Sequence, residues 1–172
     1  TSEGRFRCSG TLVTPTVVLT AAHCTDGTTG KTMVTFNTTI AEAPPSGLPT
    51  AANPSAGFQG TELPTSAITV QYGVAHTPES YSDFTDTRNW NDYGVVVLDA
   101  PITSIESAKL APLDYLNQFG QPSLNKTIFL AVGYGTEVRK PDGGPQKPTP
   151  MSYPIVRRNA AAPGQKLTPQ IV

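Results

Sequence analysis

The sequence predicts an all-β fold, and two observations support this prediction. Pro (17 residues) and Gly (15 residues) together exceed their ordinary share of a 172-residue chain. Between these turn-forming residues lie short runs rich in Val, Ile and Thr, which favour strands over helices. Many short strands separated by turn signals are typical of a β-barrel or a β-sandwich.

Seven short runs, either apolar throughout or alternating between apolar and polar residues, predict the strands. They are residues 10–13, 17–20, 32–40, 67–75, 94–98, 127–134 and 151–156. Pro15 predicts the turn between the first two runs, because it lacks the N–H that a strand would use. The run 94–98 is apolar without interruption, which indicates a strand buried on both faces.

The segments between these strands are of three kinds. Residues 41–66 and 141–163 are rich in Pro and show no sustained periodicity, so they are predicted to be exposed loops. Residues 104–109 predict a short helix, and residues 113–125 are interpreted as a connection between an earlier and a later set of strands.

The bulk composition excludes several partners. Charged residues make up only 15% of the chain and the net charge is -1, which gives no basic surface for nucleic acid or acidic lipid. The sequence contains no apolar stretch of the length that a membrane span needs. The length suits one medium domain or two small ones, which can bury a core of their own.

The two cysteines, Cys8 and Cys24, allow one pairing. They could both be free thiols in a cytosolic protein, or form one disulfide in a secreted protein. Composition alone leaves both alternatives open.

His23 is the first candidate for chemistry. It follows the apolar run 17–20 within the string Thr20-Ala21-Ala22-His23-Cys24. An imidazole can accept a proton from a hydroxyl and return it to a leaving group near neutral pH, provided that a carboxylate holds its other ring nitrogen. The alternative is a histidine whose ring is satisfied by a backbone carbonyl and has no catalytic task.

Asp92 is the candidate for that carboxylate. It stands in the string Asn91-Asp92-Tyr93-Gly94-Val95-Val96-Val97-Leu98, at the entrance of the predicted buried strand. There it can be shielded from water and still point at an imidazole. The alternative is an aspartate that only shapes a turn. Other acidic residues are poorer candidates, because Asp83 and Asp86 lie in a polar loop and Asp99 follows the strand.

Four segments together resemble the trypsin-like (chymotrypsin-type) serine proteases. They are Cys8-Ser9-Gly10-Thr11-Leu12-Val13, the histidine string 20–24, the aspartate string 91–98, and Phe129-Leu130-Ala131-Val132-Gly133-Tyr134-Gly135-Thr136. A weaker match is His76-Thr77-Pro78 with Tyr81, in which His76 is a loop residue and not the base. The resemblance implies a double β-barrel. Residues 1–112 would form a nearly complete first barrel carrying the His and the Asp, and residues 113–172 the connection and the beginning of the second barrel.

The resemblance also implies a function. His23 would be the general base and Asp92 its orienting carboxylate in a secreted serine endopeptidase, with a disulfide between Cys8 and Cys24. No serine of the chain stands in the Gly-Asp-Ser-Gly-Gly segment of that family, and the echo Asp142-Gly143-Gly144-Pro145 contains none, so the nucleophile is expected outside these residues. The expected partner is a protein or peptide substrate, and the full-length enzyme is expected to be a monomer without a cofactor.

Two further interpretations accompany this one. A protease homologue that lost its serine could use the same fold as a binding module. The acidic residues Glu79, Asp83 and Asp86 could also form a calcium loop, because their oxygen ligands suit Ca²⁺, although a solvated acidic loop is the preferred interpretation.

Overall fold

The computed structural model describes residues 7–40, 48–65, 67–86, 88–120, 122–135 and 154–165. The regular elements of these ranges are mostly strands and the helices are few and short, so the predicted all-β fold is confirmed. The strands are β1 (Thr11–Thr14), β2 (Val17–Thr20), β3 (Thr32–Val34), β4 (Gln71–His76), β5 (Gly94–Leu98), β6 (Ile128–Gly133) and β7 (Arg158–Pro163). The helices are α1 (Ala22–Thr25), α2 (Ser123–Lys126) and a 3₁₀ turn at Tyr115–Gln118.

The larger sheet has five antiparallel strands in the order β1-β2-β5-β4-β3. Strand β5 lies at its centre, between β2 and β4, as its unbroken apolar sequence predicts. Val96 of β5 is paired with Val18 on one side and with Ala75 on the other. Pro15 lies in the turn between β1 and β2, and its carbonyl accepts a hydrogen bond from the Ile102 N–H at 2.8 Å.

The core packs against this sheet. Its buried side chains are Leu12, Val18, Val96, Leu98 and Ile102, and the half-buried Val34, Phe36 and Ala75 pack against them. Within the described ranges the five strands form an open sheet, because the outer strands β1 and β3 are not paired with each other. The barrel that the resemblance implies is therefore partial here.

The smaller sheet pairs β6 with β7 in antiparallel register, from Ile128 opposite Pro163 to Gly133 opposite Arg158. Two backbone hydrogen bonds of 2.8 Å join the segment before β7 to the segment after β3. They run from Ile40 N–H to the Ile155 carbonyl and from Arg157 N–H to the Thr38 carbonyl. Along the sequence, the five strands of the larger sheet precede the predicted boundary at residue 112, and β6 and β7 follow it. That boundary stays a prediction.

Two predicted strands are shorter in the structure. Strand β3 ends at Val34 and β4 begins at Gln71, because side chains replace the backbone ladder between them. The Thr35 hydroxyl donates to the Thr69 carbonyl at 2.8 Å, and the Asn37 side-chain oxygen accepts from the Thr69 N–H at 3.1 Å. Such side chain–backbone bonds compete with regular strand pairing.

The structure corrects three other predictions. Residues 104–109 form no helix, and the Ala108 N–H instead bonds the Leu12 carbonyl of β1 at 2.8 Å. Among residues 154–156, the described part of the last predicted strand, Val156 forms a single bridge with Thr39. Strand β7 lies instead at the end of the predicted loop 141–163, where Pro163 ends an edge strand and its missing N–H is tolerated. Residues 141–153 lie outside the described ranges.

The described part of the other predicted loop, residues 48–65, contains turns and no helix or strand. Within it, the carboxylate of Glu62 accepts hydrogen bonds from the backbone N–H groups of three residues. Gln59 donates at 2.7 Å, Gly60 at 2.9 Å and Thr61 at 3.1 Å. These hydrogen bonds close the loop on itself and lower the pKa of Glu62; the largest contribution comes from Gln59, and burial opposes it.

Candidate active site

Helix α1 is a single turn that follows β2 directly. Its backbone bonds run from Cys24 N–H to the Ala21 carbonyl and from Asp26 N–H to the Ala22 carbonyl, at 3.2 and 2.8 Å. Ala22 is completely buried, whereas half of the His23 side chain is exposed. The turn therefore packs one side against the sheet and presents His23 on the other.

Thr25 fastens this turn to its surroundings. It is buried, and its hydroxyl bonds the Ala22 carbonyl at 3.0 Å and the Thr77 hydroxyl at 2.7 Å. Gly94, the first residue of β5, faces the same side chain. A Cβ at Gly94 would lie 2.4 Å from the Thr25 oxygen, so only glycine allows helix and strand to approach this closely.

The disulfide between Cys8 and Cys24 holds the same turn from the other direction. The two Cα atoms are 6.2 Å apart, within the usual range for such a bridge. Cys24 is the neighbour of His23 within α1, and Cys8 lies three residues before β1. The predicted pairing is therefore present in the structure, and it links the segment before β1 to the turn that carries His23.

His23 and Asp92 are brought together although 69 residues separate them. The ring Nδ1 of His23 lies 2.9 Å from Oδ2 and 3.1 Å from Oδ1 of Asp92. The backbone N–H of His23 also donates to Oδ1 at 2.9 Å. Because Nδ1 faces the carboxylate, Nε2 is the ring nitrogen left to meet a reacting group.

The environment keeps Asp92 ionised. Burial raises the pKa of this carboxyl, but hydrogen bonds from the His23 backbone, the His23 ring and the Ala22 backbone outweigh burial, so the pKa lies below its ordinary value of 3.8. An ionised carboxylate only accepts hydrogen bonds, so Nδ1 carries the proton and Nε2 is an acceptor in the neutral ring.

Asn91, directly before Asp92, has an unusual backbone conformation and makes hydrogen bonds of its own. Its backbone is left-handed (φ 49°), a conformation that asparagine adopts more readily than most residues. Its side-chain amide donates to the Ser80 carbonyl at 3.0 Å, and its own carbonyl accepts the Tyr93 N–H at 2.8 Å. Asn91 stands in the aspartate string, but no role was predicted for it. The signal in the sequence that could have identified it is an asparagine directly before the candidate aspartate.

The other acidic candidates are engaged elsewhere. Asp99 pairs with Lys31 (2.5 Å), Asp83 accepts the Tyr81 hydroxyl (3.1 Å), and Asp86 accepts the Arg88 backbone N–H (2.9 Å). Of the four aspartates weighed from the sequence, the structure places Asp92 at the imidazole.

The calcium interpretation gains no ligand cluster from the geometry. Within the described ranges, the group of His, Cys, Asp or Glu side chains close enough to share an ion is Cys8, His23 and Cys24, not the acidic loop. Both sulfurs of that group are in the disulfide and Nδ1 of His23 is bonded to Asp92, so its donor set does not fit a metal ion.

An aromatic cluster that the sequence did not predict lies beside the imidazole. The ring centroid of Phe84 is 5.9 Å from that of His23, and Phe84 in turn contacts Trp90 at 5.6 Å and Tyr81 at 5.9 Å. Partial burial, the bond to Asp83 and nearby carboxylate charges raise the pKa of Tyr81 to about 12. His76, the last residue of β4, is exposed.

The arrangement can supply the general base of a proton-transfer reaction. An imidazole oriented by a carboxylate can accept a proton at Nε2 from a hydroxyl and return it to a leaving group. Within the residues that the structure describes, the hydrogen bonds of the His23 ring all go to Asp92 and none to a serine hydroxyl.

The helices of the described ranges are single turns of four residues, too short to cross a membrane.

Comparison with known protein families agrees with this geometry. The family model described as Trypsin matches residues 1–170, which is nearly the whole chain. No curated protein matches the chain.

Proposed function

Because the chain belongs to the trypsin family, we propose that it carries the general base and the orienting carboxylate of a secreted serine endopeptidase. The observation that supports this proposal is the pair formed by His23 and Asp92, with Nδ1 2.9 Å from Oδ2 and the half-exposed ring leaving Nε2 for a reacting group. The nucleophile would be a serine outside these 172 residues, since no serine within them stands in the family's Gly-Asp-Ser-Gly-Gly segment.

The proposed reaction cleaves a peptide bond in two steps. His23 takes the proton of the serine hydroxyl while the serine oxygen attacks the peptide carbonyl carbon, and it gives that proton to the leaving amine as the C–N bond breaks. In the second step His23 takes a proton from water while the water oxygen attacks the acyl-enzyme ester, and it gives that proton to the serine oxygen as the ester C–O bond breaks. Asp92 remains ionised, holds the ring and stabilises the imidazolium that forms in each step.

The proposed setting is outside the cell. A disulfide persists in oxidising compartments and is rare in the cytosol, so the Cys8–Cys24 bridge supports secretion. The proposed partner is a protein or peptide substrate, the enzyme is a monomer at full length, and the chemistry relies on side chains without a cofactor. The charge of -1 gives no reason to add nucleic acid as a partner.

A second candidate is a catalytically inactive homologue that uses the fold as a binding module. This candidate would use the same fold and the same disulfide as the enzyme but would have no activated serine. The intact histidine–aspartate pair favours the enzyme, because a binding module has no need for an oriented imidazole.

Two measurements on the natural protein decide between them. Intact mass and C-terminal peptide sequencing would show whether the protein contains a Gly-Asp-Ser-Gly segment beyond Val172. Labelling with a fluorophosphonate, which reacts with an activated serine, would then identify the nucleophile by peptide mapping. His23→Ala should slow labelling by about 10³-fold or more, whereas His76→Ala, the matched control at the other histidine, should leave it unchanged. A protein that lacks the segment and takes no label would be the binding homologue.

A further inference from the structure

We propose that Phe84 is a positioning residue whose ring keeps the imidazole of His23 in the orientation that bonds Asp92. The catalytic meaning of this role rests on the proposed function, but the contact between the two rings can be tested without it. The ring centroids are 5.9 Å apart and the ring planes are inclined by 44°, within the range of favourable aromatic contacts.

The imidazole has room to leave its present orientation. Half of the His23 side chain is exposed, and α1, which carries it, is a single turn. Other neighbours of the ring are the sulfur atoms of Cys8 and Cys24, which lie within 4.8 Å of a ring nitrogen, and Asp92, which bonds Nδ1. Rotation of the side chain toward solvent would break the bond to Asp92, and water could replace the lost hydrogen bond. The ring of Phe84 opposes that rotation, because it would lose its contact with the imidazole.

The exposure and the backbone conformation of Phe84 are both unfavourable when the loop is considered alone. The residue is 43% exposed although its side chain is a large apolar group. Its backbone is left-handed (φ 58°), as is that of the preceding Asp83 (φ 46°), and two successive left-handed residues with a Cβ are disfavoured. Such strain persists only where the surrounding structure enforces it, and it is concentrated at functional sites.

The surrounding loop does enforce this placement. Trp90 and Tyr81 contact the Phe84 ring with interplanar angles of 77° and 88°. Backbone bonds hold the loop on both sides of the ring, from Tyr81 N–H to the Pro78 carbonyl at 3.0 Å and from Thr85 N–H to the Ser82 carbonyl at 2.9 Å. The loop therefore directs an exposed aromatic ring against the imidazole, and not into the core of the protein.

The test measures how often the bond between Nδ1 and Asp92 opens. In the ¹⁵N-labelled intact protein, the Nδ1 proton of His23 exchanges with water only when the ring leaves the carboxylate. Phe84→Ala should raise this exchange rate about three- to tenfold, the range expected for the loss of one aromatic contact. Phe84→Trp, which retains an aromatic ring, should remain within about twofold of the unchanged protein.

Two controls separate this role from a general loss of structure. Tyr115→Ala removes an aromatic side chain that is similarly exposed (47%) and contacts Phe119 at 5.6 Å, far along the chain from the site, and should leave the exchange unchanged. Backbone amide exchange of β5 reports global opening and should be the same in all variants. An unchanged Nδ1 exchange rate in folded Phe84→Ala would overturn the proposal, as would an equal increase in Tyr115→Ala. Fluorophosphonate labelling tests the proposed function separately, because proton exchange requires no nucleophile.

Discussion

Asp92 holds both the ring and the backbone of His23. The ring Nδ1 lies 2.9 Å from one carboxylate oxygen, and the backbone N–H of the same residue donates to the other at 2.9 Å. The carboxylate therefore fixes the position of helix α1 as well as the orientation of the imidazole. Asp92 therefore also contributes to the local fold, so its substitution has to be measured on stability as well as on activity.

Asp92→Asn should impair the proposed peptidase far more than it impairs folding. The amide has the same shape and can still accept the His23 backbone N–H, but it lacks the charge that stabilises the imidazolium and it permits the wrong ring tautomer. We expect kcat/KM for peptide hydrolysis by the full-length enzyme to fall about 10⁴-fold. Asp99→Asn, which alters the exposed pair with Lys31, is the matched control and should retain activity. Full activity in Asp92→Asn would refute the role of this carboxylate.

The sequence predicted the two strands nearest the site well, for a physical reason. Val17–Thr20 and Gly94–Leu98 are short continuous runs rich in Val and Leu, so their length and their composition both indicate a strand. The longer runs 32–40 and 67–75 were overestimated, because polar side chains such as Thr35 and Asn37 bond the opposite backbone in place of the ladder. A pattern of apolar residues does not report that competition.

The candidate site was likewise predicted only in part from the sequence. His23 and Asp92 stand in local strings that predicted an imidazole paired with a carboxylate, and the structure brings the two side chains together. Phe84 has no such string, because it is one aromatic residue in a polar loop and its contact with His23 depends on how a distant part of the chain turns back. Contacts of that kind arise from loop conformation, which local propensity does not determine.

Removing the disulfide should destabilise the protein by about 3 kcal/mol, the loss of chain entropy expected for a closed loop of this size. The double substitution of Cys8 and Cys24 by Ala avoids a free thiol, and urea denaturation measures the free energy of unfolding. The loss should be accompanied by faster exchange of the His23 Nδ1 proton, because the bridge holds α1. An unchanged denaturation midpoint would show that the bridge contributes nothing to the fold.

Gly94→Ala should disturb the site through the backbone. The added Cβ would lie 2.4 Å from the Thr25 oxygen and 3.0 Å from the Ala21 carbonyl, so α1 must move away from β5. We expect a destabilisation of about 1–3 kcal/mol, as for other overpacked sites, together with a weakened bond between His23 and Asp92. Gly120→Ala is the matched control, since a Cβ there meets nothing within 4 Å. Equal melting temperatures for the two variants would contradict the close packing of Thr25 against Gly94.

Acid should weaken the fold through carboxyl groups whose pKa is lowered in the folded state, as it is for Asp86, Asp92 and Glu62. We follow Asp92 and Glu62. Each is stabilised as the ion by hydrogen bonds that outweigh burial, so each folded-state pKa lies below its ordinary value, which is 3.8 for Asp92 and 4.5 for Glu62. A depressed carboxyl pKa gives stability that is present in full above the ordinary value. This stability is lost as the pH falls through the lower folded-state value, because the unfolded chain binds the proton first.

The melting temperature should therefore be nearly constant above about pH 5 and fall progressively below it. Asp92→Asn and Glu62→Gln should each lower the melting temperature at pH 6 and flatten its decline in acid, because each removes one of the ionisations that cause it. Scanning calorimetry between pH 6 and pH 2.5 would measure both effects. A decline as steep in the double variant as in the unchanged protein would show that other groups govern acid unfolding. The carboxylate that orients His23 would then contribute nothing to the pH dependence of the fold.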